Sequence, residues 1–343
     1  MSVKNDLLDL FVSNLVTESR MYYEQYGKLR IDSIFFGGGT PNVLTQHHFN
    51  QIVSALHNYF NILPQLEFTV EMNPGVHSKN KLNYFKQLGV NRVSVGVQSF
   101  SQDVLNDYER NHSDTDSNTF INDIFNVDFK NVSVDIIFGH PKHQTKDLTV
   151  SLDRIQSLPL SHVALYGLTI EKGTPFHEMA VTVNDDHQYE HYIYIQDFLT
   201  SIGYEQYEVS NFSRPEYRCQ HNIKYWTLQS TIGLGAGAHS FFLGHRYNND
   251  LDIQNYLSNL PGKLPHSNIP LDWNDFISVR LRYCTPIYFS DLTSIFNFNV
   301  FKHFEKALHK MNHNGFINLT DESFVVTKKG FPVLDELICY LLN

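Results

Sequence analysis

The residues with the clearest chemical promise sit where short apolar runs give way to polar ones. Gly37-Gly38-Gly39-Thr40-Pro41 follows one such run and precedes a helical pattern. Glycine tolerates positive φ and lets backbone N–H groups approach a ligand closely. The string has no following Gly-Lys-Ser/Thr and no G-x-G-x-x-G spacing, so it is neither a P-loop nor a dinucleotide turn. A tight strand-to-helix connection explains it equally well. Further along, Glu71 precedes Asn73-Pro74-Gly75, Gln98 follows Val95-Gly96-Val97, and Asp135 interrupts the apolar run Val134 to Phe138. A lone carboxylate in such a run is costly to bury unless something binds it. Three polar residues at three strand ends suit one ligand held at a barrel face. Arg110 could take a ligand carboxylate in bidentate fashion, or simply be a solvated arginine beside Glu109.

Two more strings stand out. His221-Asn222-Ile223-Lys224-Tyr225-Trp226 gathers a histidine, a tyrosine and one of only two tryptophans. Imidazole is a common haem-iron ligand, and aromatic rings pack on a flat macrocycle. With 18 histidines in the chain, a hydrogen-bonded histidine at the core edge is the competing explanation. Gly233-Leu234-Gly235-Ala236-Gly237-Ala238-His239 permits either close packing or close approach of a ligand. Cys219, Cys284 and Cys339 lie 65 and 55 residues apart, which matches neither a metal-site spacing nor a disulfide framework.

The elements that must position these residues alternate. Helical spacing over Leu7 to Tyr26 gives way to a strand at Ile31 to Phe36, and Thr45 caps a second helix. Leu66 to Met72, Arg92 to Val97, Val132 to Phe138, His162 to Leu168 and Glu205 to Asn211 read as strands, with helices near Asn80 to Leu88, after Thr145 and up to Gly203. This rhythm predicts an α/β fold with a parallel sheet, and barrel and open sheet remain alternatives. Residues 1–247 form this part. Residues 248–272, with Pro261, Pro265 and Pro270, read as a linker. Residues 273–343 read as helices, a hairpin (Phe316 to Leu319 and Phe324 to Thr327) and a last helix, the pattern of a small winged-helix-like domain.

The bulk numbers bound the function. The 343 residues are 42% hydrophobic and 18% charged, enough for a sizeable core. The net charge of −10 disfavours general binding to nucleic acid. No apolar run reaches the roughly 20 residues of a membrane helix, and the N-terminus has no leader pattern. Scattered thiols and the lack of a leader point to the cytoplasm.

Read in order, these strings resemble a known family. Phe36 to Pro41, Glu71 to Gly75, Gly96 to Phe100, Asp135 to Gly139 and Tyr207-Glu208-Val209-Ser210-Asn211-Phe212 occur in this order in the HemW-like branch of the radical S-adenosylmethionine (SAM) superfamily, relatives of oxygen-independent coproporphyrinogen III oxidase. His221 to Trp226 matches that branch's H-N-x-x-Y-W haem signature. The resemblance runs from about residue 20 to the C-terminus. It implies a partial (β/α) TIM-like barrel of the radical SAM type with a small C-terminal winged-helix-like domain. It places Gly38, Gly39 and Thr40 along the methionine moiety of S-adenosylmethionine, and Glu71, Gln98, Arg110 and Asp135 on its amino-acid and ribose parts. Gly167 and His239 fall at looser nucleoside positions. His221 becomes the candidate haem-iron ligand, with Tyr225 and Trp226 beside it. A haem-accepting protein, including one reached by peripheral contact at a membrane, is the implied partner.

The family also holds a [4Fe–4S] cluster on a C-x-x-x-C-x-x-C loop ahead of the first helix. Here Met1 stands at about that helix, and none of the three cysteines can replace the loop. His143 is a smaller departure, in place of the family's usual glycine or Lys-like neighbour before Gln144-Thr145. The expectation is a haem-binding chaperone or carrier without radical catalysis by this polypeptide. The alternatives are a coproporphyrinogen-oxidase-like radical enzyme, if the true N-terminus is longer, and a relative that acts through protein contacts alone.

Overall fold

The computed structural model describes residues 2–75, 79–258, 272–296 and 299–342, with side chains from residue 6 onward. In chain order it contains α1 (Ser2–Tyr26), β1 (Arg30–Phe36), α2 (Gln46–Tyr59), β2 (Asn61–Met72), α3 (Lys79–Gln87), β3 (Arg92–Gln98), α4 (Gln102–Asp107), α5 (Asp114–Asn126), β4 (Asn131–Phe138), α6 (Thr145–Ser157), β5 (His162–Gly167), α7 (Pro175–Glu178) and α8 (Asp185–Ser201). There follow β6 (Glu205–Gln206), β7 (Asn211–Ser213), α9 (Gln220–Trp226), β8 (His239–Phe242), β9 (His245–Asn248), α10 (Ile253–Ser258), α11 (Trp273–Arg280), β10 (Ile287–Tyr288), α12 (Phe289–Phe296), α13 (Val300–His313), β11 (Ile317–Leu319), β12 (Ser323–Val326) and α14 (Leu334–Leu342). The main sheet has seven strands in the order β1-β2-β3-β4-β5-β7-β6. It is the α/β sheet that the strand–helix rhythm predicts, in the half-barrel form that the resemblance implies. No helix among the described residues is long and apolar enough to cross a membrane.

The chain divides into two compact units. The first comprises residues 1–95, 118–131 and 220–271, the second 96–117, 132–219 and 272–343. In the first unit, β1 and β2 pair in parallel, with Phe35 opposite Thr69 and Phe36 opposite Val70. Strand periodicity sends alternate side chains to opposite faces. Ile34 and Phe36 join the cluster of Val12, Leu15, Tyr22, Ile52, Leu56 and Phe60 formed by α1 and α2. Ser33, Phe35, Glu67, Thr69 and Glu71 alternate with the residues of that apolar face. Thr45 caps α2 as its sequence predicts: its hydroxyl accepts from His48 N–H at 3.2 Å, while His48 Nδ1 accepts from Thr45 N–H at 3.3 Å.

In the second unit, β4 buries Val132, Val134, Ile136 and Phe138 and pairs in parallel with β5. Glu205 to Asn211 departs from the expected single strand. β6 and β7 are short, pair with one another antiparallel, and β7 runs antiparallel to β5. The chain turns back because Tyr207 is pinned: its N–H donates to Asn211 O, and its hydroxyl meets His162 Nε2 and Cys219 N–H. Residues 272–343 belong to this unit. Their sheet, in the order β10-β12-β11, is antiparallel and adds a strand to the expected hairpin. Cys284 N–H donates to Tyr207 O and Lys328 pairs with Asp197 at 2.6 Å. Within the stretch read as a linker, α10 forms in the first unit and Tyr256 is buried against α1. Residues 259–271, with its three prolines, lie outside the described residues.

Candidate functional site

The glycine string leaves β1 as a turn whose backbone faces a carboxylate. Glu71, on β2, accepts the Gly38 N–H at 3.0 Å. Gly37 has no room for a side chain: a Cβ there would lie 2.6 Å from the Phe35 ring and 2.7 Å from the Glu71 carboxyl. Gly38 sits at φ +83, and open space lies over both Gly38 and Gly39. Burial raises the Glu71 pKa, offset by the Gly38 N–H and by Arg92. Thr40 Oγ1 accepts from Asn73 Nδ2 at 2.9 Å, which ties the end of the turn to the Asn73-Pro74-Gly75 string. Gly38, Gly39, Thr40 and Glu71 therefore share one locale.

His221 occupies a second locale in the same unit. The first two N–H groups of α9 have no helical acceptor, and Glu67 supplies one. Its two carboxylate oxygens accept from Gln220 N–H and His221 N–H, each at 2.9 Å. The imidazole stacks on Phe35, with centroids 5.1 Å apart and planes at 26°. Nδ1 lies 3.0 Å from Ser33 Oγ, and Nε2 lies 2.9 Å from the Tyr225 hydroxyl. Burial, with help from Lys224 and Arg92 and against Asp32, lowers the His221 pKa to about 4. The ring is a neutral imidazole at pH 7. Lys224 itself reaches Asp32 at 2.9 Å. Tyr225 is exposed, and Trp226 is part-buried with an indole N–H that has no hydrogen-bond partner.

The second unit holds Gln98, Arg110, Asp135 and Gly167. Gln98 ends β3 with φ 67, a left-handed backbone that non-glycine residues rarely adopt. The preceding carbonyl, Val97 O, meets His112 Nε2 at 3.1 Å. Asp135 is part-buried between the buried Val134 and Ile136. Arg110 is exposed, and desolvation still lowers its pKa, with Tyr108 opposing. Gly167 ends β5 with its Cα against Gln188 and Phe138.

His239 lies elsewhere in the first unit, exposed on β8 opposite Asn248. Its string is a packing device. A Cβ on Gly233 would lie 2.4 Å from His239 O, and one on Gly235 would press on Leu15 and Phe11. Gly235 N–H donates to buried Glu18, which also accepts from Asn249 and Tyr256. Several partners of the candidate residues carry no signal in the sequence. Ser33, Phe35 and Glu67 read only as strand residues, and their roles appear once α9 is laid against β1. The three cysteines form no disulfide among the described residues, Cys219 is buried, and the ligand atoms that converge among the described residues are those of Asp107, His140 and His143 instead.

Comparison with known proteins fits this layout. The profile of the radical SAM superfamily matches residues 14–155. The chain is similar to the haem chaperone HemW of Lactococcus lactis, 32% identical over 74% of this chain and 67% of that protein. It is also similar to HemW of Bacillus subtilis, 30% identical over 74% and 69%, and to HemW of Buchnera aphidicola from Schizaphis graminum, 29% identical over 91% and 85%. Among solved structures, coproporphyrinogen III oxidase (HemN) from Escherichia coli, a radical SAM enzyme, superimposes with a TM-score of 0.81 at 18% identity, covering 97% of this chain and 83% of that one.

Proposed function

The chain belongs to the HemW family of haem chaperones, and from that premise we propose that it binds haem as a chaperone or carrier, with His221 as the iron ligand. The observation that carries the reading is the state of the His221 ring. It is neutral, stacked on Phe35, fixed by Ser33 at Nδ1 and met at Nε2 by the hydroxyl of exposed Tyr225. Neutral imidazole is the form that ligates a metal, and a partner on the other ring nitrogen orients it. Departure of Tyr225 frees Nε2, and Tyr225 and Trp226 offer aromatic surface beside it. Bound haem supplies the iron and the macrocycle to be delivered. A haem-accepting protein is the partner this activity requires, and peripheral contact would serve where that acceptor lies in a membrane.

The same reading assigns S-adenosylmethionine to Gly38, Gly39, Thr40 and Glu71 in the first unit and to Gln98, Arg110, Asp135 and Gly167 in the second, with His239 a looser candidate. The open backbone over Gly38 and Gly39, and a Glu71 carboxylate already held at a backbone N–H, fit an amino-acid moiety. The cysteines do not fit a [4Fe–4S] cluster: Cys219, Cys284 and Cys339 contribute to no group of converging ligand atoms among the described residues. No radical step is assigned to them. Residues 273–343 serve in this reading as the family's C-terminal module, and the cytoplasm is the compartment.

Haem titration of the full chain tests the assignment. Wild type and a His47→Ala control, which removes an exposed histidine, should develop the same ligated Soret band. His221→Ala should lose that band while keeping its far-UV circular dichroism. Equal Soret bands for His221→Ala and wild type would remove His221 as ligand.

A further inference from the structure

The second unit contains a cluster of imidazoles that the haem reading does not use. The loop after β4 carries His140 and His143, only 2% and 7% exposed. Their rings stack with centroids 4.4 Å apart and planes at 28°. Asp107, the last residue of α4, meets His143 Nε2 with Oδ2 at 3.0 Å. One ligand atom from each of Asp107, His140 and His143 lies within 4.8 Å of the others. Tyr108 and Phe176 wall the cluster with aromatic edges.

The backbone of this loop is fixed. Gly139 has φ +84, and a Cβ there would lie 2.4 Å from the Gln188 side chain of α8. On either side of Gln188, α8 presents His187 and His191, four residues apart on one helical face with ring centroids 3.9 Å apart. His191 is 1% exposed, and neither of its ring nitrogens has a hydrogen-bond partner. Nε2 of His187 is likewise buried and unpaired. Buried polar atoms are nearly always satisfied, and a neutral imidazole carries one N–H and one lone pair, so the unpaired nitrogens of His187 and His191, on the helix that packs against this loop, mark a place where a partner is missing.

We propose that Asp107, His140 and His143 form a binding site for a divalent transition-metal ion, with His187 and His191 on the helix that packs against the same loop. Two imidazoles and a carboxylate are a donor set for zinc, cobalt or iron(II) rather than for calcium or magnesium, which prefer oxygen. Bonds of roughly 2.0–2.2 Å to a tetrahedral ion put its ligand atoms about 3.3 Å apart. The His143–Asp107 edge, at 3.0 Å, is already near that length, and side-chain rotation would close the remaining edges. His140 Nδ1 now accepts from Lys142 N–H at 3.3 Å, a long bond that a metal can replace. The opposing charge is Lys142, whose ammonium lies 3.8 Å from Asp107 Oδ1. Its side chain is 74% exposed and can swing into water as a dication takes its place. The bound ion would staple the loop before α6 to the end of α4.

Titration of the full-length chain with cobalt(II), followed by competition with zinc(II), tests the site. The wild type should bind one cobalt with visible d–d bands of four- or five-coordinate N/O ligation and without a thiolate charge-transfer band. His47→Ala should behave as wild type. His143→Ala and the double variant His140→Ala/His143→Ala should weaken binding at least a hundredfold while retaining the wild-type far-UV spectrum. Zinc should raise the melting temperature of the wild type and not that of the double variant. Octahedral cobalt spectra, thiolate bands, or undiminished affinity in the double variant would each overturn the assignment. His221→Ala should leave cobalt binding unchanged, so failure of the haem reading and failure of this one are separable.

Discussion

Glu18 and His221 in the first unit, and Glu208 and His191 in the second, are shielded groups that the two units treat differently. In the first unit Glu18 accepts hydrogen bonds from Gly235 N–H, Asn249 and Tyr256, and both ring nitrogens of His221 are engaged. In the second unit neither carboxyl oxygen of Glu208, which is fully buried, completes a hydrogen bond, and neither ring nitrogen of His191 does. Burial raises both glutamates, but three donors restrain Glu18. Glu208 is pushed up to about 7, with Ser210, Asn211 and Arg282 softening the effect without closing well-formed bonds. A buried polar group stays uncharged, finds donors or waits for a ligand. At Glu18 and His221 the first unit has met this demand with its own residues. At Glu208 and His191 the second unit has not.

The largest effect that tests the contrast is at Glu208. Its folded pKa of about 7 stands above the ordinary glutamate value of 4.5. The stability it allows is therefore fully present below about pH 4.5 and is lost as the pH rises through about 7. At about 1.4 kcal/mol per unit, Glu208→Gln should gain about 3 kcal/mol relative to wild type between about pH 4 and pH 8. Urea unfolding at the two pH values measures this. A flat difference would mean that Glu208 is satisfied after all, and the contrast with Glu18 would disappear. A smaller effect belongs to Ser33, which holds Nδ1 of His221. Partners behind a metal ligand typically contribute 10–100-fold to affinity, so Ser33→Ala should weaken haem binding about tenfold and leave cobalt binding alone. Unchanged haem affinity would show that the stacking on Phe35 orients the ring without help. The smallest effect has the opposite sign. Tyr225→Phe removes the hydroxyl that covers Nε2, and a hydrogen bond of roughly 0.5–1.5 kcal/mol corresponds to about two- to tenfold tighter haem binding. Weaker binding would mean that the tyrosine serves haem directly instead of competing with it.

The elements were legible wherever apolar periodicity was strong. β1, β3, β4 and β5 lie within a residue or two of their apolar runs, and Thr45 caps α2 as read. β2 was less so. It begins at Asn61, but Pro64 falls inside it and hides its first half. The pairing with β1 jumps there, from Ile31–Ile62 to Ser33–Glu67, and the proline is absorbed in that irregularity. The reversal at β7 was not legible because Tyr207 is held by His162 and Cys219, contacts with no local sequence signature. At the site, the glycine turn and His221 announced themselves by residue type. Ser33 did not: it lies 188 positions from the histidine it touches. His143 was visible as a departure from the family pattern, but His140, Asp107 and the His187–His191 pair needed the fold to bring them near.

Glu67 has a consequence for the order in which the chain acquires its shape. α9 has seven residues, well below the roughly 12–15 at which an isolated helix becomes even marginal in water. Its start is held by a carboxylate 153 positions upstream, on a strand that must already be paired. Contacts of such long sequence separation carry a large loop-closure cost and form after local ones. The segment bearing His221 is thus among the last parts of its unit to take form, and a nascent or half-folded chain presents that imidazole on an unstructured tether. If His221 takes haem as proposed, its capture would report that the surrounding unit has finished folding.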